Sequence, residues 1–127
     1  MMQDVTVLRP EEPARFNPDR LEVLCNEVGE TRAEHEVASA LEQINRRMQE
    51  IRRVDPCAEA PGLVDPVQAL AVAAERIGMA TLSRVARDVL ICVAQRDGVA
   101  IAATYMRLLR VGERSIHAIW DLEDVSG

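Results

Sequence analysis

The sequence predicts an all-α fold, an antiparallel four-helix bundle with an additional short N-terminal helix and an arm. Apolar residues recur every three or four positions, and no alternating pattern typical of a strand extends beyond the first residues. Apolar residues make up 48% of the chain, but aromatic residues only 2%. A core of leucine, isoleucine, valine, alanine and methionine suits helix-on-helix packing better than a β-sandwich. The 127 residues predict one domain, residues 17–124, preceded by an arm at residues 1–16.

The first helix is predicted from its start signal. Asn17-Pro18-Asp19 combines an N-cap residue, a proline at the first helical position and an acid in the first turn. Phe16 and Leu21 occupy the two positions of a hydrophobic staple. Gly29 is a C-terminal cap signal, so this helix is short.

The second helix is predicted to be long and to have one narrow apolar stripe. Thr31 and Glu34 have the spacing of a capping box, and Asp55-Pro56 ends the helix after about Val54. Its stripe consists of Val37, Leu41, Ile44, Met48 and Ile51. Residues 55–64 contain two prolines and a glycine, which indicates a connection within the domain.

The third helix is predicted at residues 65–78, the most uniformly small and apolar part of the chain. Asp65-Pro66 repeats the signal of an N-cap followed by proline, and Gly78 ends or bends the helix. Its main stripe consists of Val67, Leu70, Ala71, Ala74 and Ile77. A helix of this composition in mid-chain is expected at the centre of the bundle.

Two further helices complete the bundle. The fourth follows Gly78 and closes at Asp97-Gly98, and the fifth runs from about Val99 to Leu122, with a possible interruption at Gly112. The inward positions are Leu82, Val85, Ala86, Val89, Leu90 and Val93 in the fourth helix, and Ile101, Tyr105, Leu108, Leu109, Ile116, Ile119 and Trp120 in the fifth.

Charge and composition exclude several classes of function. The net charge of −6 argues against nucleic-acid binding, which needs a basic face. All fifteen basic residues are arginine, which excludes a lysine nucleophile. The longest apolar runs have six residues, too few to span a membrane, and no signal peptide is visible. Three separated cysteines are expected to be reduced thiols, so the predicted location is the cytoplasm.

The layout of residues 17–122 resembles the histidine-containing phosphotransfer (Hpt) domain of bacterial two-component phosphorelays. In that family, a short helix that ends near glycine and a long helix precede an H-x-L-K-G signature, which is followed by an I-G turn. Here Ile77-Gly78 matches the I-G turn, and the fourth helix, the turn at residues 96–98 and the final helix follow the family's spacing.

The resemblance places the phospho-accepting histidine of the family at Gln68. Leu70 matches the leucine of the signature, whereas Ala71 and Val72 stand at the lysine and glycine positions. Phosphorelay needs an imidazole nitrogen that attacks an aspartyl phosphate, and the amide of Gln68 is not nucleophilic. We therefore expect no catalytic residue at this position, no cofactor and no metal.

The resemblance also implies a docking role for this chain, which needs no histidine. The resemblance implies contact with a response-regulator receiver domain or a histidine-kinase domain, while a homodimer through the same face is an alternative. The residues expected to bind the partner are Gln68, Ala69, Val72, Ala73, Glu75 and Arg76. A further alternative is that the N-terminal arm or the fifth helix covers this face.

Two histidines offer alternative sites. His35 lies opposite the stripe of the second helix and is expected to be exposed. An active phosphotransferase that uses His35 is the second functional hypothesis, because H-E-V-A-S-A faintly echoes the family signature. His117 shares a helix face with Glu113 and Asp121, a set that suits either a surface charge cluster or a partial metal site.

The cysteines carry no predicted chemistry. Cys25 and Cys92 lie at or beside apolar stripes and are expected to fill the core, while Cys57 in the connection is expected to be more exposed. No histidine lies near Cys57 in sequence to activate a nucleophile.

Overall fold

A computed structural model describes residues 18–126. The side chains outside this description are those of Pro18, Leu21, Cys25, Glu27, Val28 and residues 119–126. Several predictions therefore fall outside the described residues and side chains. They concern the arm, the cap at Asn17, the staple of Phe16 and Leu21, and the inward placement of Ile119 and Trp120.

The described chain is helical and contains no strand, which confirms the predicted all-α class. Within residues 18–126, a 3-10 helix at Ala60–Leu63 runs directly into the third α-helix. The α-helices of these residues are α1 (Pro18–Val28), α2 (Glu30–Arg52), α3 (Val64–Arg76), α4 (Ala80–Gln95) and α5 (Gly98–Ser126).

Helices α2 to α5 form an antiparallel bundle. Each of them packs against the next along the chain, α5 returns to pack on α2, and α1 packs on α2. The antiparallel order is visible where the end of α3 meets the start of α2, at Arg76 and Glu36. It is also visible where Tyr105 near the start of α5 meets Ile51 at the end of α2.

The core is aliphatic, as the composition predicts. Each of the four bundle helices contributes fully buried side chains, and α3 buries its whole predicted stripe. Complete burial of one leucine, isoleucine or valine contributes about 1.5–3 kcal/mol. The largest fully buried side chains are Ile44, Met48, Ile51, Leu63, Leu70, Ile77, Leu82 and Leu108.

The predicted capping box at the start of α2 is wrong. The helix begins at Glu30, so Thr31 is already its second residue and caps nothing. Gly29 takes the N-cap position with φ 84° and ψ 159°, a conformation open essentially to glycine alone. This single residue separates α1 from α2, and the amide of Ala33 donates to the Gly29 carbonyl at 2.9 Å.

The predicted N-cap at Asp65 is also wrong. Because the 3-10 helix continues into α3, Leu63 occupies the cap position and the helix begins at Val64. Asp65 and Pro66 instead lie in the first turn, where a carboxylate favours the positive end of the helix dipole and proline is tolerated.

Glycine and arginine turns close α3 and α4. At the end of α3, Gly78 has φ 80°, and the amide of Met79 donates to the carbonyl of Ala74 at 2.9 Å. This is the Schellman arrangement that a glycine signal predicts. At the end of α4 the same turn is made by Arg96, which has φ 57°.

The possible interruption of α5 at Gly112 does not occur, since the helix is continuous through this residue. Gly112 is buried where α5 crosses α2. A Cβ atom at this position would overlap Cε and Sδ of Met48. The end of the Met48 side chain therefore fills the space beside Gly112.

Candidate functional site

An open groove of about 530 Å³ lies between α2 and α3 and contains most of the predicted binding residues. It is lined by Glu36, Ser39, Ala40, Gln43, Asp65, Gln68, Ala69, Val72, Ala73 and Arg76. We call this surface the α2–α3 groove. Its alanines leave the helix backbones close to the surface, while charged and amide side chains surround them.

A salt bridge closes one end of the α2–α3 groove. Arg76 donates from Nε to Glu36 Oε1 at 2.9 Å and from Nη2 to Oε2 at 2.6 Å. The hydrogen bond from Arg76 lowers the pKa of Glu36 below its ordinary value, against the smaller opposing effect of burial. The pair links the end of α3 to the start of α2 and holds the guanidinium at the rim.

The middle of the α2–α3 groove is exposed. Gln68 is exposed, Ala69 is half-buried, and the side chain of Val72 is 60% exposed. Helix α5 packs on α4 and α2 and leaves this face of α3 open. The alternative that the fifth helix covers the face is therefore wrong, whereas the arm lies outside the described residues.

Ala73 and Glu75, both predicted to bind a partner on the outward face, are placed differently. Ala73 is only 8% exposed, because α2 packs beside it, so it forms part of the floor. Glu75 does not line the α2–α3 groove. It faces α4 instead, where it accepts a hydrogen bond from Nη2 of Arg87 at 2.6 Å.

The position that the resemblance assigns to lysine is interior. Ala71 is 2% exposed and belongs to the core cluster, as does Leu70. A lysine here would have to bury its stem and its charge in the bundle at considerable cost. Gln68 and Val72 are thus the two signature positions that a partner can touch.

Sequence patterns did not point to the α2 side of the α2–α3 groove. Glu36, Ala40 and Gln43 lie at the helical spacing i, i+4 and i+7, beside the predicted apolar stripe. This shared face was the available signal, but Ala40 is the only apolar residue of the three. Without the position of α3, such a face is indistinguishable from an ordinary solvent-exposed side of a helix.

His35 lies outside the α2–α3 groove. It is exposed, as predicted, and lines a separate depression at the start of α2. This depression has a volume of about 540 Å³ and is also lined by Gly29, Glu30, Thr31 and Arg32.

Of the residues predicted to cluster around His117, Glu113 is described, while the side chain of Asp121 lies outside the described ones. Glu113 forms an ion pair with Arg52, with 3.4 Å between Oε2 and Nη2, and His117 is exposed. Among the described side chains, no group of three histidine, cysteine or acidic residues is placed to hold a metal ion. Cys57 is exposed and Cys92 is partly buried.

No helix in the described part of the chain is both long and apolar enough to cross a bilayer.

Comparison of the chain with family models, curated proteins and solved structures gives no match. Membership of the Hpt family therefore stays a prediction from the layout and the I-G turn.

Proposed function

We propose that this protein is a non-enzymatic, Hpt-like module of bacterial two-component signalling that acts by protein contact. In this proposal the α2–α3 groove docks a receiver domain or a histidine-kinase domain. The observation that carries it is the open face of α3. On the face of α3 that lies along α2, Gln68 is exposed and the side chain of Val72 is 60% exposed, at two of the signature positions of the resemblance.

The chemistry of the α2–α3 groove favours binding over reaction. An amide at position 68 cannot accept a phosphoryl group, since it offers no nucleophilic nitrogen. The α2–α3 groove combines an apolar centre with a polar and charged rim, which is the usual anatomy of a protein–protein interface. The exposed side chain of Val72 would contribute hydrophobic free energy only when a partner covers it.

Calorimetric titration with the receiver and kinase domains encoded in the same genome tests the docking. We expect one of them to bind, and Val72→Glu to weaken that binding at least about tenfold, because it introduces a charge at the buried centre of the contact. Ile91→Glu is the matched control, since Ile91 is 53% exposed on α4 and does not line the α2–α3 groove. Equal losses in both variants, or no binding domain, would contradict the proposal.

A second candidate function is phosphotransfer by His35, favoured by its exposed imidazole and by Arg32 in the same depression. Incubation with radiolabelled, phosphorylated receiver domains separates the two candidates. Our proposal expects no label on the wild-type chain. Label that is lost in His35→Gln but kept in His117→Gln would establish the second candidate instead.

A further inference from the structure

The exposed face of α3 carries four residues at the spacing of a coiled-coil seam. Asp65, Ala69, Val72 and Arg76 follow one another at intervals of four, three and four residues. At about 100° per residue, they fall within a stripe roughly 60° wide. All four line the α2–α3 groove, and we call them the α3 seam.

The α3 seam is self-complementary in charge. Its N-terminal end carries an acid, its C-terminal end a base, and its centre the apolar Ala69 and Val72. Asp65 and Arg76 are both exposed. A second copy laid antiparallel would place Asp65 of each chain beside Arg76 of the other, and Ala69 beside Val72. A parallel copy would instead place like charges together.

We propose that a second copy of this chain docks antiparallel along the α3 seam and forms a two-fold symmetric dimer. Asp65 and Arg76 lie about 16 Å apart along the helix axis in each copy, so both charge pairs form at once. The contact is isologous, because the same surface serves both partners. This inference does not rest on the docking of a receiver domain.

The α2–α3 groove has room for such a contact. Ala40, Ala69 and Ala73 form small side-chain positions that let a second helix approach closely. Ser39 and Gln43 on α2 stand at the rim, within the α2–α3 groove that the second copy would enter. These features allow α3 of the second copy to lie in the α2–α3 groove as well as on the α3 seam.

The salt bridge with Glu36 holds the Arg76 guanidinium at the end of the α2–α3 groove. Glu36 accepts hydrogen bonds from Nε and Nη2 of Arg76 and so holds the guanidinium in place. A guanidinium has five N–H donors and can serve two carboxylates. Asp65 of the second copy would complete a row of Glu36, Arg76 and Asp65.

The dimer is expected to be weak. Each chain contributes mainly one helix of 13 residues, fewer than the roughly 20–30 residues a side of a standard stable interface. We expect a dissociation constant on the order of 100 μM. The dimer would cover Val72, so self-association and docking of a signalling partner would compete for one surface.

Sedimentation equilibrium over a range of concentrations up to about 1 mM tests the proposal. The wild-type mass is expected to rise from 14.1 kDa towards twice that value. Asp65→Arg alone and Arg76→Glu alone should each weaken association at least about tenfold, because each places like charges together. A one-to-one mixture of the two variants should restore the dimer, since both contacts then join opposite charges.

Two controls keep the result specific. Glu42→Arg makes the same kind of charge change at an exposed α2 position outside the α2–α3 groove and should leave association unchanged. Because Arg76→Glu also places a carboxylate beside Glu36, Arg76→Gln is a second variant that should still associate preferentially with Asp65→Arg. A wild-type chain that stays at 14.1 kDa throughout would overturn the proposal. So would association that the single variants leave intact, or a mixture that fails to recover.

Discussion

At the scale of single residues, the end of the Met48 side chain on α2 packs against Gly112 on α5. Met48 is fully buried, and its sulfur and methyl group fill the space where a side chain on Gly112 would begin. The sequence alone showed a glycine within a helical pattern, which usually indicates a weak point. It could not show the methionine 64 positions earlier in the chain whose side chain fills the space beside the glycine.

We expect Gly112→Ala to lower the free energy of unfolding by at most about 1 kcal/mol. The buried end of Met48 must move to admit a Cβ, but a flexible methionine can repack, so the cost lies at the low end of the roughly 1–3 kcal/mol of overpacking. The gain in helix propensity, up to about 1 kcal/mol, offsets part of that cost. Gly98→Ala is the matched control, because a Cβ there meets nothing within 4 Å. It should be neutral or stabilising by up to about 1 kcal/mol. Urea denaturation measures both, and a stabilised Gly112→Ala variant would contradict the packing.

Tyr105 connects α5 to the end of α2 and gives stability a dependence on alkaline pH. Its hydroxyl lies 3.1 Å from the carbonyl oxygen of Ile51 and 3.2 Å from that of Val54, so it can donate to either. Burial raises the pKa of Tyr105 above its ordinary value of 10.0. Since the folded chain favours the neutral phenol, this contribution is complete below about pH 10 and is lost as the pH rises further.

Tyr105→Phe should therefore destabilise the chain by about 1 kcal/mol near pH 8, through loss of the hydrogen bond. At about pH 11 the difference from the wild type should shrink, because the wild-type phenol then ionises more readily in the unfolded chain than in the folded one, which lowers the stability of the wild type alone. Urea denaturation of both proteins at the two pH values measures the change. A difference that stays constant with pH would contradict the assigned environment.

At the scale of elements, the sequence predicted helices better than it predicted their ends. The apolar stripe of α3 is fully buried, as its spacing indicated, because periodicity reports directly which face a helix buries. The capping signals at Thr31 and Asp65 failed because the preceding backbone takes the cap position in each case. Gly29, with a positive φ, is the N-cap of α2, and at Leu63 a 3-10 helix supplies the preceding turn.

The turn at the end of α4 was not predicted from the sequence either. Arg96 holds the left-handed conformation that glycine usually provides, and no local signal distinguishes it from a helical arginine. Asp97, read as part of the helix end, instead caps α5, where its Oδ1 accepts a hydrogen bond from the amide of Ala100 at 3.1 Å. This side chain explains why α5 can begin so soon after α4 ends.

We expect Arg96→Gly to stabilise the chain by about 0.5–1 kcal/mol, because glycine adopts a positive φ without the steric cost of a Cβ. Arg53→Gly is the matched comparison. Arg53 follows α2 in a right-handed conformation with φ −84°, so glycine there should be destabilising. Thermal unfolding of the two variants measures the contrast, and equal shifts would contradict the two turn conformations.

At the scale of the whole molecule, the packing of the helices leaves the face of α3 beside α2 exposed. Its composition and mid-chain position predicted α3 at the centre of the bundle, and the resemblance directed attention to Gln68 and Val72. Neither revealed that α2 would complete a groove with Glu36, Ser39 and Gln43. A groove depends on how two helices lie beside each other, which a single-helix pattern does not contain.

The central claim is that the α2–α3 groove is a docking surface, and one titration tests it most directly. Isotope-labelled protein is titrated with the receiver or kinase domain that binds it, and amide chemical shifts are recorded. The account predicts that the largest shifts map to Ser39, Gln43, Gln68, Ala69 and Val72, while those around His35 stay small. Shifts concentrated around His35, with residues 65–76 unaffected, would contradict it.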